Sequence, residues 1–365
     1  MKSPRLITAA ALSAVLAFGV AACGDDSSTT DSSTGDTSVA TDLSGEIAGA
    51  GASSQEAAQA AWIAGLQDAS PDVTVSYDPI GSGGGREQFI AGAVDYAGSD
   101  SALEGSELKG AIENCGDADL VQVPVYISPI AVVYNLPDVT DLQLDPETLA
   151  NIMNQKITTW NDPAIAALNP DAELPDTAIT PVNRSDDSGT TANFTDYLSQ
   201  TAGSAWPYPA DDTWPVEGGE AAEGTSGVID AVKNGDGAIG YADESQAGDL
   251  GIAKIKIGEE YVAPTAEGAA ADVDISKFEN PEQYVFDYAI NRTTDDPSTY
   301  PITLVSYAIA CTSSDDEAKT AIVGGLFEYA ISAEGQDAAA SNAGSAPITD
   351  QLRGKIQPAV DAIGS

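Results

Sequence analysis

The sequence predicts an α/β fold, and two observations carry that expectation. Beyond the first 44 residues, apolar or alternating strand-like runs alternate with helical patterns along the whole chain, the order that builds helices onto a sheet. Three of these passages also share one grammar: a strand, a turn of Gly, Ser or Thr, then a helix. With 365 residues, 42% of them hydrophobic, the chain is long enough for two domains with true cores.

The N-terminus reads as a targeting segment. Lys2 and Arg5 precede an apolar run from Leu6 to Ala22, the charged and apolar regions of an export signal. Cys23 follows Val20-Ala21-Ala22 directly, which resembles a bacterial lipobox. This implies a signal peptide over 1–22, lipidation (palmitate) at Cys23 and a chain anchored to the outer face of the cell membrane. Residues 23–44 are mostly Ser, Thr, Asp and Gly with almost nothing to bury, so they are expected to form a flexible tether. No later stretch is apolar for long enough to cross a bilayer.

The globular part begins near Gly45. In "EIAGAGASSQEAAQAAWIAGLQDA", Ile47 and Ala48 end a strand, Gly49 and Gly51 turn, and Ser53 to Glu56 reads as a capping box. Ala58, Trp62 and Leu66 then recur at helical spacing, with Trp62 expected in the core. In "VTVSYDPIGSGGGREQFIAG", Val73, Val75 and Tyr77 alternate as in a half-buried strand, and Phe89 and Ile90 are expected to begin a helix's apolar side. In "AITPVNRSDDSGTTANFTDYL", Ile179 and Val182 fit a strand, and a helix is expected to start near Ser188. Asp145-Pro146 and Asp162-Pro163 open two further helices, with Pro in the first turn. Ser314 to Glu317 reads as a second capping box. Strands are expected at 121–127, 130–134, 237–241 and 302–310, an irregular loop at 202–224, and Trp160 in the core. The exported context permits a disulfide between Cys115 and Cys311, with two buried thiols as the alternative.

Charge and composition narrow the function. Asp and Glu number 57 against 14 Lys and Arg, a formal net charge of −43. Such a surface is soluble and self-repelling, and it is no partner for a nucleic-acid backbone. The chain has no histidine, which removes His-based triads, ordinary zinc sites and His proton shuttles. A helix N-terminus, however, binds an anion through free backbone N–H groups without any basic residue. Three Gly- or hydroxyl-led helix starts, one of them beside Arg184, could converge on a single small anion.

Six stretches carry a family resemblance: "GAGAS" (49–53), "GSGGG" (81–85), "VDYAGSD" (94–100), "ITTWNDPAIAALNP" (157–170), "RSDDSGTTANFTDYL" (184–198) and "GAIGY" (237–241). In that order they resemble the phosphate-binding protein of the high-affinity phosphate ABC transporter, over nearly all of the chain from residue 45. The resemblance implies a two-lobe α/β fold of the periplasmic-binding-protein type (type II), with the ligand in the interdomain cleft. Lobe one would comprise 45–130 plus 305–365 and lobe two 131–304, with crossings near 130–134 and 302–306. The implied phosphate contacts are Ser53, Ser54, Ser82, Asp100, Arg184, Ser188, Gly189 and Thr190, with Asp186 bracing the arginine. Ser54 stands where an aromatic is common, and Asp187 where glycine is usual. The implied partners are inorganic phosphate and the permease and ATPase subunits of the transporter, with no cofactor and no catalysis. Asp100 would accept a hydrogen bond from a protonated oxyanion and so favour phosphate over sulfate. A receptor for another oxyanion and a secreted phosphoryl-transfer enzyme remain the competing readings.

Overall fold

A computed structural model describes residues 42–365. The expected signal peptide (1–22), Cys23 and most of the tether (23–44) lie outside the described residues. At the tether's end, Ser44 already pairs with Asp72.

Eight strands form the path of an 11-stranded sheet. They are β1 (Ser44–Gly51), β2 (Asp72–Asp78), β3 (Tyr96–Ser99), β4 (Leu120–Tyr134), β5 (Thr180–Arg184), β6 (Glu220–Ala222), β7 (Ala238–Asp243) and β8 (Thr303–Cys311). The helices that flank them are α1 (Glu56–Ala69), α2 (Ser82–Ile90), α3 (Gly105–Cys115), α4 (Pro146–Met153), α5 (Pro163–Leu168), α6 (Gly189–Thr201), α7 (Gly224–Asn234), α8 (Ala266–Ile275), α9 (Glu317–Ile331), α10 (Ala333–Ala343) and α11 (Asp350–Asp361). The strand order β2-β1-β3-β8-β4-β7-β5-β6 has two parallel sets. β1 runs parallel to β2 and β3, and β5 runs parallel to β6 and β7. This is the α/β fold that the sequence predicts.

β4 joins the two sets. It was expected as two strands but is one strand of 15 residues, "LVQVPVYISPIAVVY", buried at every position. Residues 120–129 pair with β8 and residues 130–134 with β7. Burial on both faces explains its near-continuous apolar run. Prolines cannot donate to a ladder, and they often accompany bulges. Here the register slips beside Pro124: Ser306 faces Tyr126 while Tyr307 faces Pro124, leaving Val125 as the extra residue. Because β8 is antiparallel to both β3 and β4, and β4 is antiparallel to β7, the two parallel sets run in opposite senses. Seated at successive lengths of β4, they point their C-terminal ends at each other. A hairpin over 277–289, expected within the second lobe, pairs at Val285 with Gln122 in the first part of β4.

Ala58, Trp62 and Leu66 bury one face of α1, and Trp62 and Trp160 are core residues at 1% and 0% exposure. Each indole is satisfied, Trp62 Nε1 donating to Gly335 O and Trp160 Nε1 to Gly237 O. Asp145 and Asp162 cap α4 and α5 as the Asp-Pro pairs predict. Phe89 and Ile90 are the first apolar residues of α2 but lie at its C-terminal end, because the glycines after Ser82 are themselves helical. Neither expected capping box forms. Ser53 opens a short 3₁₀ turn and sends its hydroxyl elsewhere. At α9 the cap is Asp316, whose carboxylate accepts from Ala318 N and Lys319 N, a stronger acceptor for these donors than a serine hydroxyl. The loop over 202–224 holds a 3₁₀ turn and β6. Cys115, at the end of α3, is bonded to Cys311, at the end of β8, with Cα atoms 5.4 Å apart.

Candidate anion site

The site lies where the two sets of parallel strands face each other. Ligands of α/β sheets bind beyond the carboxyl ends of the strands, and each expected residue follows such an end. Ser53 and Ser54 follow β1, Ser82 follows β2, Asp100 follows β3, and Arg184 to Thr190 end β5 and open α6. The side chains expected to touch the ligand are buried, with Ser53 and Asp100 at 4% exposure, Arg184 at 3% and Ser82, Ser188 and Thr190 at 1%, while Asp186 is half-buried.

Direct hydrogen bonds knit the two sets together. Ser53 Oγ lies 2.9 Å from Thr225 Oγ1 and accepts from Thr225 N at 3.0 Å, at the start of α7. Thr190 Oγ1 donates to Asp100 Oδ2 at 3.0 Å, and Asn193 Nδ2 to Asp100 O at 2.8 Å. Gly83 N donates to Asp187 O at 2.9 Å. Gly189 sits at the tightest point of this contact. A Cβ there would lie 2.7 Å from Asp100 Cβ and 2.8 Å from Ser82 Oγ. Gly81 has a φ of +97°, and a Cβ there would meet Asp186 Oδ2. These two glycines are therefore needed for backbone approach and turn geometry.

The donors left over point to an anion. Ser188 Oγ accepts from Thr191 N as the α6 cap, which leaves the N–H groups of Gly189 and Thr190 without an intrahelical partner. Ser82 Oγ accepts from Asp100 N at 3.1 Å, so its own O–H remains to donate. Arg184 binds Asp186 through Nε and Nη2, and Asp186 Oδ1 also accepts from Gly224 N at 3.1 Å. Burial pushes the Asp186 carboxyl up, but the hydrogen bond and charge of Arg184, with the Gly224 N–H, outweigh it and hold it below the usual range. Asp186 therefore stays ionised and fixes the guanidinium, whose Nη1 makes no hydrogen bond among the described residues.

Asp100 is shifted in the other direction. Burial raises its carboxyl, while hydrogen bonds from Ser306, Ser54 and Thr190 and the charge of Arg184 oppose the rise. Ser54 and Ser306 both donate to Oδ1, at 2.6 and 2.5 Å. A carboxylate offers about four acceptor positions. Three hydroxyls occupy three of them, and the remaining position suits one further O–H.

The comparisons with known proteins agree with this geometry. Residues 28–334 match the model of the PBP superfamily domain. "Phosphate-binding protein PstS 3" of Mycobacterium tuberculosis is 35% identical over 100% of both chains. The chain belongs to the PstS phosphate-binding protein family. Among solved structures, the high-affinity periplasmic phosphate-binding protein PfluDING, bound with phosphate, superposes with a TM-score of 0.70 at 23% identity, over 86% of this chain and 93% of that one. A phosphate-binding protein from Stenotrophomonas maltophilia superposes at 0.65 and 20% identity, with the same two coverages. The fold is thus that of the two-lobe phosphate-binding proteins.

Two departures from the PstS pattern have structural accounts. Ser54, in place of an aromatic, gives its hydroxyl to Asp100. Asp187, in place of glycine, accepts from Thr213 Oγ1 at 2.9 Å and so ties the 202–224 loop to the site. The sequence reading missed Thr225, Ser306 and Gln246, the last donating to Ser53 O at 3.2 Å. "EGTSGVI" offered a usable signal for Thr225, since it repeats the Gly-hydroxyl helix start. Ser306 and Gln246 carry no local signal, because topology alone brings them to the site.

Proposed function

We infer that this protein is the exported receptor of a phosphate ABC transporter, which captures inorganic phosphate and passes it unaltered to a membrane permease and its ATPase. We place it on the outer face of the membrane, held by lipid at Cys23. We take lobe one as 45–130 plus 305–365, with the 277–289 hairpin attached, and lobe two as the rest of 131–304. Phosphate then bridges Ser53, Ser54 N–H, Ser82 and Asp100 of the first lobe and Arg184, Ser188, Gly189 and Thr190 of the second, and binding favours closure.

The observation that carries this reading is the buried Asp100 carboxylate with one acceptor position open. An oxyanion that keeps a proton can donate to it, whereas sulfate would set two negative charges face to face. Titration calorimetry on the wild type and Asp100→Asn tests this. The wild type is expected to bind phosphate and to bind sulfate far more weakly. The variant is expected to gain sulfate affinity by at least about tenfold, a difference of about 1.4 kcal/mol, and to lose less than that for phosphate. Unchanged sulfate affinity in the variant overturns the role of Asp100. Comparable sulfate and phosphate binding by the wild type favours a receptor for another oxyanion.

A further inference from the structure

A second set of contacts crosses the same cleft outside the anion site. Asp212 lies in the loop between α6 and β6. Its carboxylate pairs with Arg86 Nη2 of α2 and accepts from Ser101 Oγ at 3.0 Å. Its backbone carbonyl accepts from Ser188 N at 3.0 Å, at the start of α6. The neighbouring residues strap the loop to the same helix. Asp211 exchanges hydrogen bonds with Thr195 Oγ1, and Thr213 donates to Asp187. The loop is thus bound to the element carrying Ser188, Gly189 and Thr190, while its one outward-reaching carboxylate holds the opposite set of strands.

Arg86 is built to lose and regain this partner. Its Nε donates to Glu107 Oε2 at 2.9 Å and its Nη1 to Ser99 Oγ at 2.9 Å, both on its own side of the cleft. If the two sides part, Arg86 keeps those partners and Asp212 is hydrated, so opening strands no buried charge. In the closed arrangement the Arg86 side chain is 6% exposed and that of Asp212 18%, where a charge pair is poorly screened by solvent. The pair stands on the wall of a cavity of about 540 Å³ that reaches from the surface to Asp100.

We propose that Asp212 is a cross-cleft latch, a positioning residue that slows phosphate release by tying the α6 start to Arg86 and Ser101 when the cleft is closed. It touches no ligand and acts through the helix start it holds. This proposal rests on the phosphate reading above, and its test separates the two.

Stopped-flow phosphate binding is measured for the full chain, for Asp212→Asn, for Arg86→Gln and for the double variant. Truncating one partner of a close charge pair acts mainly on the dissociation rate, so each single variant is expected to release phosphate on the order of tenfold faster with association little changed. The double variant is expected to be no worse than either single one, because the pair acts as a unit. Asp212→Glu is expected to restore part of the slow release. A dissociation rate unchanged in Asp212→Asn, or additive losses in the double variant, overturns the latch while leaving phosphate binding intact. Absence of phosphate binding by the wild type overturns the functional reading, and the latch with it.

Discussion

Asp243 is a second carboxylate buried near the site, at 0% exposure, and it has no basic partner among the described residues. It ends β7 opposite Ile130 of β4. Tyr126 OH lies 3.2 and 3.1 Å from its two oxygens, and Ser245 donates to Oδ1 through both N and Oγ. Burial pushes this carboxyl up to about 7, against the hydrogen bonds of Ser245 and Ser128 and with a small further push from Asp100. An unfolded Asp titrates near about 4, so between about 4 and about 7 the folded state holds a proton that unfolding releases. Stability must then fall as pH rises through that window. Asp243→Asn is expected to lose less melting temperature between pH 5 and pH 8 than the wild type, as followed by circular dichroism. Asp272, also raised to about 7 by burial, keeps the effect from vanishing. An identical loss in both proteins removes Asp243 as the cause. At this scale the residues legible without the family resemblance were those whose role is local. Arg184 and Asp186 are two apart, and Ser188 caps its own helix. Asp212 and Ser306 act on partners 126 and 206 positions away, distances that no local pattern encodes.

Among the elements, helix starts were readable because cap and first-turn residues announce them: Asp145-Pro146, Asp162-Pro163 and Ser188 all sit where expected. The two capping boxes failed for different reasons. At Ser53 a tertiary partner, Thr225, captured the hydroxyl, and at α9 the nearer carboxylate of Asp316 displaced Ser314. The expected strands 121–127 and 130–134 leave out Ser128 and Pro129, yet the ladder runs through both, with Pro129 facing Thr303. The disulfide ties α3 to β8 and supplies this scale's prediction. Replacing both cysteines by serine is expected to lower stability by about 2–4 kcal/mol, read as a lower melting temperature. Phosphate affinity should stay within about twofold, since Cys311 lies at the far end of β8 from Ser306. A large affinity loss at unchanged stability contradicts that separation.

For the molecule as a whole, the charge of −43 sets a conflict between the surface and its ligand. The site draws on backbone amides, hydroxyls and one arginine, all at short range, while the surrounding field repels an approaching anion. Added salt screens that field, with a Debye length of about 10 Å at 0.1 M. The association rate for phosphate is therefore expected to rise with NaCl from low ionic strength, opposite to an electrostatically steered receptor. A rate that falls with salt would show that the local potential of the site reaches well beyond the cleft. The alternation of strand and helix made the α/β class legible, and the ordered motifs made the two-lobe type legible by resemblance. The opposed senses of the two strand sets were not legible, because they depend on where β8 inserts.

β4 has a consequence for how this chain can drift. Its 15 buried positions run without a break, and they serve two neighbourhoods at once, β8 along one stretch and β7 along the next. A substitution there cannot be absorbed by a solvent-facing side, since there is none. Exchanges there are therefore expected to be tolerated only at matched volume and with the hydrogen bonds of the buried Gln122 and Tyr126 kept, a demand that the acidic exterior does not make.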